Sequence, residues 1–72
     1  MTFAYQSYRV TIGFKNDSGL YGEETFTCMG RDQDQAEAKA LQSATGSELN
    51  ADRYGERRMV VLETEEVSAK AA

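Results

Sequence analysis

Seventy-two residues are the length of a single domain, and 12 Asp+Glu against 8 Lys+Arg leave a formal charge of −4 at pH 7. That balance disfavours direct DNA or RNA binding, which calls for a positive footprint to replace phosphate counterions. One cysteine, Cys28, excludes an internal disulfide, and the lack of histidine removes the commonest metal ligand and the side chain best poised for proton transfer near neutral pH.

From Tyr8 to Phe14 apolar residues alternate strictly, with Tyr8, Val10, Ile12 and Phe14 set against Arg9, Thr11 and Gly13. A period of two with β-branched and aromatic residues predicts a half-buried strand. Phe3 and Tyr5 fall on the opposite parity, as residues of the other face or before a register-resetting bulge. Lys15-Asn16-Asp17-Ser18-Gly19 is turn chemistry, so an eight-residue hairpin connection is expected from Lys15 to Gly22, carrying Leu20 and Tyr21. The second strand is expected from Glu23 to Met29, with Phe26 and Cys28 inward and Thr25, Thr27 and Met29 outward.

A helix is then expected from Gln33 to Thr45. Asp32 suits its N-cap, Gln35 suits a capping box, Asp34 complements the macrodipole, and Gly46 stands at the stop. Its stripe is Ala36, Ala40 and Ala44, with Leu41 as the single large apolar residue. So thin a helix lies close on a sheet but builds little core. From Ser47 to Gly55 two readings stay open: one short turn capped by Ser47, or a polar loop ending at Tyr54-Gly55. A last strand, Arg57 to Glu65 or Val67, is built around Met59-Val60-Val61-Leu62, which puts two apolar residues on each face. Residues 68–72 read as a tail beyond a core of about 3–67 in one domain, 1–72.

The expected fold class is α+β: a three-stranded antiparallel-type sheet, β-β-α-β in strand order 2-1-3, with one helix on one face. A crossover through the helix sets the third strand parallel to the second and beside the first. A core of this size supplies only about 3–5 kcal/mol of net stability. With neither disulfide nor metal to add to it, self-association or docking on a larger partner is the expected supplement.

Chemistry-bearing residues are sparse. Cys28 shares parity with Phe26 and has no histidine to activate it, so it reads as a core residue. The carboxylates (Glu23–Glu24, Asp32 with Asp34, Glu63 with Glu65–Glu66) read as solvated surface and helix capping. No enzyme activity, cofactor or metal is therefore expected. The aromatics exceed what one alanine-lined helix can cover. Phe3, Tyr5, Tyr21 and Tyr54 are the candidate protein-binding residues, with Arg57 and Arg58 as a polar rim. No apolar run reaches the ~20 residues of a membrane span, and the N-terminal residues lack a secretory pattern, so a cytoplasmic setting is expected.

The strand Tyr8-Arg9-Val10-Thr11-Ile12, the strand Phe26-Thr27-Cys28 and the segment Arg31-Asp32-Gln33-Asp34-Gln35-Ala36-Glu37-Ala38 are similar to the β–β–α–β arrangement of phage RNA-polymerase inhibitors. In size and acidity the chain also resembles anti-CRISPR proteins. This resemblance to small acidic phage-encoded inhibitors of host machinery is architectural and transfers no functional residue. It departs from the polymerase inhibitors in leaving more apolar surface on the last strand. It implies a non-enzymatic inhibitor in the host cytoplasm that binds a nucleoprotein machine, a CRISPR–Cas surveillance complex first and RNA polymerase second. The alternative is a small homo-oligomeric structural module, such as a homodimer.

Overall fold

The computed structural model describes residues 5–67. Three strands, β1 (Gln6–Asn16), β2 (Gly19–Gly30) and β3 (Arg58–Val67), form one sheet in the order β2-β1-β3. One helix, α1 (Gln33–Ala44), packs on it. β1 runs antiparallel to both neighbours, so β2 and β3 share a direction, as the sequence leads one to expect. The expectations for Phe3 and for 68–72 lie outside the described residues.

The hairpin is tighter than its composition suggests. Asn16 pairs with Gly19, leaving only Asp17 and Ser18 at the tip, so the expected eight-residue connection is corrected and Leu20 and Tyr21 belong to β2. β2 is consequently the longest of the three strands. Among the described residues none but glycine takes a positive φ, so the turn is not of the primed type. Gly19 at φ 111° restores the strand twist after it. The Asn16 side chain holds the turn by accepting from the Ser18 N–H at 2.8 Å.

Two bulges then decide which side chains go where. Between Phe14 and Lys15 the register with β2 slips by one, leaving Tyr21 as the extra residue beside Gly22. Between Thr11 and Ile12 the register with β3 slips likewise, leaving Leu62 as the extra residue beside Glu63. At the first bulge Tyr21 lies on the helix side against Phe14, and at the second Leu62 lies on the opposite side over Gly13.

The core lies between α1 and one face of β1. Tyr8, Val10, Ile12 and Phe14 are buried there with Ala36, Ala40 and Ala44, while Phe26, Cys28, Leu41, Met59 and Val61 pack around them. Methyl side chains spaced four apart let the helix axis sit close to the sheet. Asp32 caps α1 by accepting from the Gln35 N–H at 2.9 Å, and the Gln35 side chain reaches back to the Arg31 N–H at 2.7 Å. The helix ends through three successive i→i−3 bonds, from the N–H groups of Thr45, Gly46 and Ser47. Gly46 thus marks the stop without adopting a positive φ. A Cβ on Gly30 would stand 3.0 Å from the Ala36 nitrogen, so this glycine admits the close strand-to-helix passage.

Beyond the end of α1 the remaining core is covered by residues 47–57. Two short 3-10 turns, Glu48–Asn50 and Asp52–Tyr54, settle the ambiguity left by the sequence: Ser47 does cap a turn, and a second turn follows. Leu49 packs on the core and lies over Gly22.

Candidate functional site

The expected contact residues divide between the two sides of the sheet. Tyr21 is half-buried on the helix side, where its ring tilts against Phe14 at 6.4 Å and stacks on Tyr54 at 4.4 Å. Its hydroxyl donates to the Leu49 carbonyl. Tyr54 is also half-buried, with the Arg53 guanidinium 4.9 Å from its ring centre. Its carbonyl accepts from Asn16 Nδ2 at 3.1 Å, which ties the 3-10 segment to the hairpin tip. Neither tyrosine stands out on a loop or on the open sheet face, where the sequence had placed them.

Arg57 is similarly engaged. It donates to Asn50 Oδ1 at 3.0 Å, the Gly55 carbonyl at 2.7 Å and Asp52 Oδ1 at 3.1 Å, which fastens the loop it ends. Arg58 is exposed on β3 opposite Lys15. Tyr5 is 47% exposed, with Lys39 Nζ 5.8 Å from its ring centre. Of the six candidates, then, Tyr21, Tyr54 and Arg57 build one structural cluster, Tyr5 and Arg58 lie elsewhere on the surface, and Phe3 is outside the described residues.

The carboxylates show the same structural use. Asp32 caps the helix, Glu24 accepts from the Ser47 hydroxyl at 2.7 Å, and Glu65 pairs with Arg9 at 3.1 Å. Glu37 accepts from the Thr64 hydroxyl and from Gln33 Nε2, joining α1 to β3. The Thr64 bond first, and the Gln33 bond second, hold its carboxyl below the ordinary range. Cys28 is a free thiol, half-buried on the helix side opposite Tyr8. The Tyr8 phenol is pushed up by burial, with the charges of Glu66 and Asp32 adding to it.

The face of the sheet away from α1 holds what the candidate residues did not. Pairing across β1 sets out its rows: Met29–Ser7–Val67, Thr27–Arg9–Glu65, Thr25–Thr11–Glu63, Glu23–Gly13–Val60 and Leu20–Lys15–Arg58. The middle is polar, with the Arg9–Glu65 ion pair and a 3.0 Å hydrogen bond between the Thr11 and Thr25 hydroxyls. Over Gly13 it is apolar. A Cβ on Gly13 would stand 2.8 Å from Cδ1 of both Leu20 and Leu62, so the two leucines lie side by side across the central strand. They remain 50% and 44% exposed, and Val60 adjoins them in the Gly13 row. These residues were partly foreseeable: Met59-Val60-Val61-Leu62 does leave one pair, Val60 and Leu62, on the open face. Leu20 was missed because the hairpin was read as a long loop, although Asn16-Asp17-Ser18-Gly19 is itself a signal for a short one.

Among the described residues no helix is long and apolar enough to cross a membrane, and no group of three or more metal-ligating side chains gathers. No protein-family model, curated protein or solved structure matches the chain.

Proposed function

We propose that this chain is a non-enzymatic protein-docking domain that works through the uncovered face of its sheet. The observation that carries this reading is the Leu20–Val60–Leu62 patch, apolar and half-exposed, which reaches from both edge strands across Gly13 of the central strand. Single exposed leucines are ordinary, but a contiguous group on a flat sheet suits a partner surface. The non-enzymatic part of the reading draws support from the carboxylates, whose hydrogen bonds cap, brace and staple the fold.

The narrower form of the proposal is an inhibitor of phage type that docks on a host nucleoprotein machine, a CRISPR–Cas surveillance complex before RNA polymerase. Its support is the architectural resemblance together with the acidic balance, which would steer the domain toward basic channel walls. The test is a pull-down from bacterial lysate with the intact chain and with a Leu20→Ser/Leu62→Ser variant. Recovery of one of those machines by the intact chain and its loss in the variant is the expected result. Recovery of neither machine removes the narrower form, and equal recovery by both proteins removes the open face as its docking surface.

A homo-oligomeric module is the second reading, and one observation favours it. The open face carries Arg9, Lys15 and Arg58 against Glu23, Glu63 and Glu65, so it has no net charge, and the whole formal −4 resides elsewhere on the chain.

A further inference from the structure

We infer that the occupant of the open face is a second copy of this chain, packed face to face with β1 antiparallel to its counterpart and the two-fold axis passing over Gly13. The inference rests on the docking reading in its homo-oligomeric form and adds the orientation and the register.

Charge sets the orientation. Along the strands, the row on one side of Gly13 is basic, with Lys15 and Arg58, and the row on the other side carries Glu63. A two-fold axis perpendicular to the strands at Gly13 exchanges these rows. Arg58 of one protomer then faces Glu63 of its partner twice over, and Lys15 lies beside that pair. A two-fold axis along the strands would set Lys15 against Lys15 with no opposite-charge pair, whereas the axis across them sets Glu23 against Glu23 but gains the Arg58–Glu63 pair twice, so the charges favour the antiparallel arrangement. The leucine patch meets its own image near the axis, as an isologous interface requires.

Two copies of a small sheet protein can also join edge to edge, by extending the ladder. Here both edge strands are interrupted by bulges, at Tyr21–Gly22 and at Leu62–Glu63. Both are also acidic, with Glu23 and Glu24 on β2 and Glu63, Glu65 and Glu66 on β3. Bulges and like charges are the devices by which sheets refuse edge pairing. The face is left as the route to association.

The overlapping area sets the strength. The three rows that meet about this axis, about 7 Å apart on strands about 4.8 Å apart, give a footprint on the order of 300 Å² per copy. That is less than half of the ~800 Å² per partner in a standard stable interface. Association through so small a face is therefore weak and concentration-dependent.

Sedimentation equilibrium of the intact chain up to about 1 mM in low salt tests the inference, with each variant's fold checked by its urea midpoint. The expected result is a monomer–dimer equilibrium that Leu62→Glu abolishes. Arg58→Glu and Glu63→Arg each weaken it roughly two- to fivefold, as rim charge pairs do, while the two together restore it. A monomer at every concentration overturns the second-copy inference and leaves the docking reading to its own pull-down test. A dimer indifferent to Leu62→Glu overturns the face. A double variant weaker than either single one overturns the register.

Discussion

The central strand presents two faces built from adjacent residues and used in opposite ways. Toward the helix, Val10, Ile12 and Phe14 are fully buried and Tyr8 nearly so, under alanines that let the backbone of α1 come close. Toward the other side, Arg9, Thr11, Gly13 and Lys15 meet an ion pair, a hydroxyl pair and two leucines. On the covered face, side-chain volume is the limiting quantity. On the open face no such limit applies, and the leucines lie across a glycine because no side chain there displaces them. One strand thus separates residues held for stability from residues free for contact.

Breaking the covered face gives the largest expected effect. Phe14→Ala removes a fully buried ring from between Ile12, Tyr21 and Met59, at a cost of about 3–5 kcal/mol. In a domain whose core supplies only about 3–5 kcal/mol net, that is unfolding. A urea titration followed by circular dichroism is expected to show no cooperative transition. Ala40→Leu attacks the same face from the helix. There is no room for the added atoms where Ala40 is fully buried, so overpacking by about 1–3 kcal/mol should lower the urea midpoint. Asp32→Ala is smaller, about 1 kcal/mol, because it leaves the Gln35 N–H without its cap while the alanine stripe stays in place.

The helix and its cap were legible because their causes are local: Asp32, Gln35 and alanines four apart act within a few residues of one another. The strand order was legible because a crossover admits few topologies. The bulges were not, because an extra residue on one strand is fixed by where Tyr21 and Leu62 find company, and their neighbours Tyr54 and Leu20 are distant from them in sequence. The cover formed by residues 47–57 was hidden for a related reason. It is held by side-chain bonds from Asn16, Ser47 and Arg57 rather than by any apolar period. The candidate site shows the same limit: two of its tyrosines, Tyr21 and Tyr54, stack on each other and brace the protomer.

Acid sharpens the contrast from the helix side. Glu37 joins α1 to β3, and its carboxyl is held low by the Thr64 and Gln33 bonds. A folded-state value below the unfolded one means that the unfolded chain binds the proton more readily. This contribution to stability is therefore fully present above the ordinary carboxylate range and is lost as pH falls through the lowered folded value. Glu37→Gln should be less stable than the intact chain at neutral pH, and the gap should close in acid. Urea midpoints measured across that range check the sign, and a gap that widens in acid would reverse it.

The smallest effect on the lone protomer belongs to the open face. Leu62→Thr exchanges a half-exposed leucine for a β-branched residue that suits a strand, so the loss of apolar cover over Gly13 is offset by strand preference. The change in monomer stability should be about 0.5 kcal/mol or less, as for surface positions generally. The urea midpoint at low protein concentration, where self-association contributes nothing, is the measurement. A loss comparable to that of Phe14→Ala would mean that Leu62 belongs to the core of the protomer. The contrast between a face for stability and a face for contact would then fail at the residue on which it depends most.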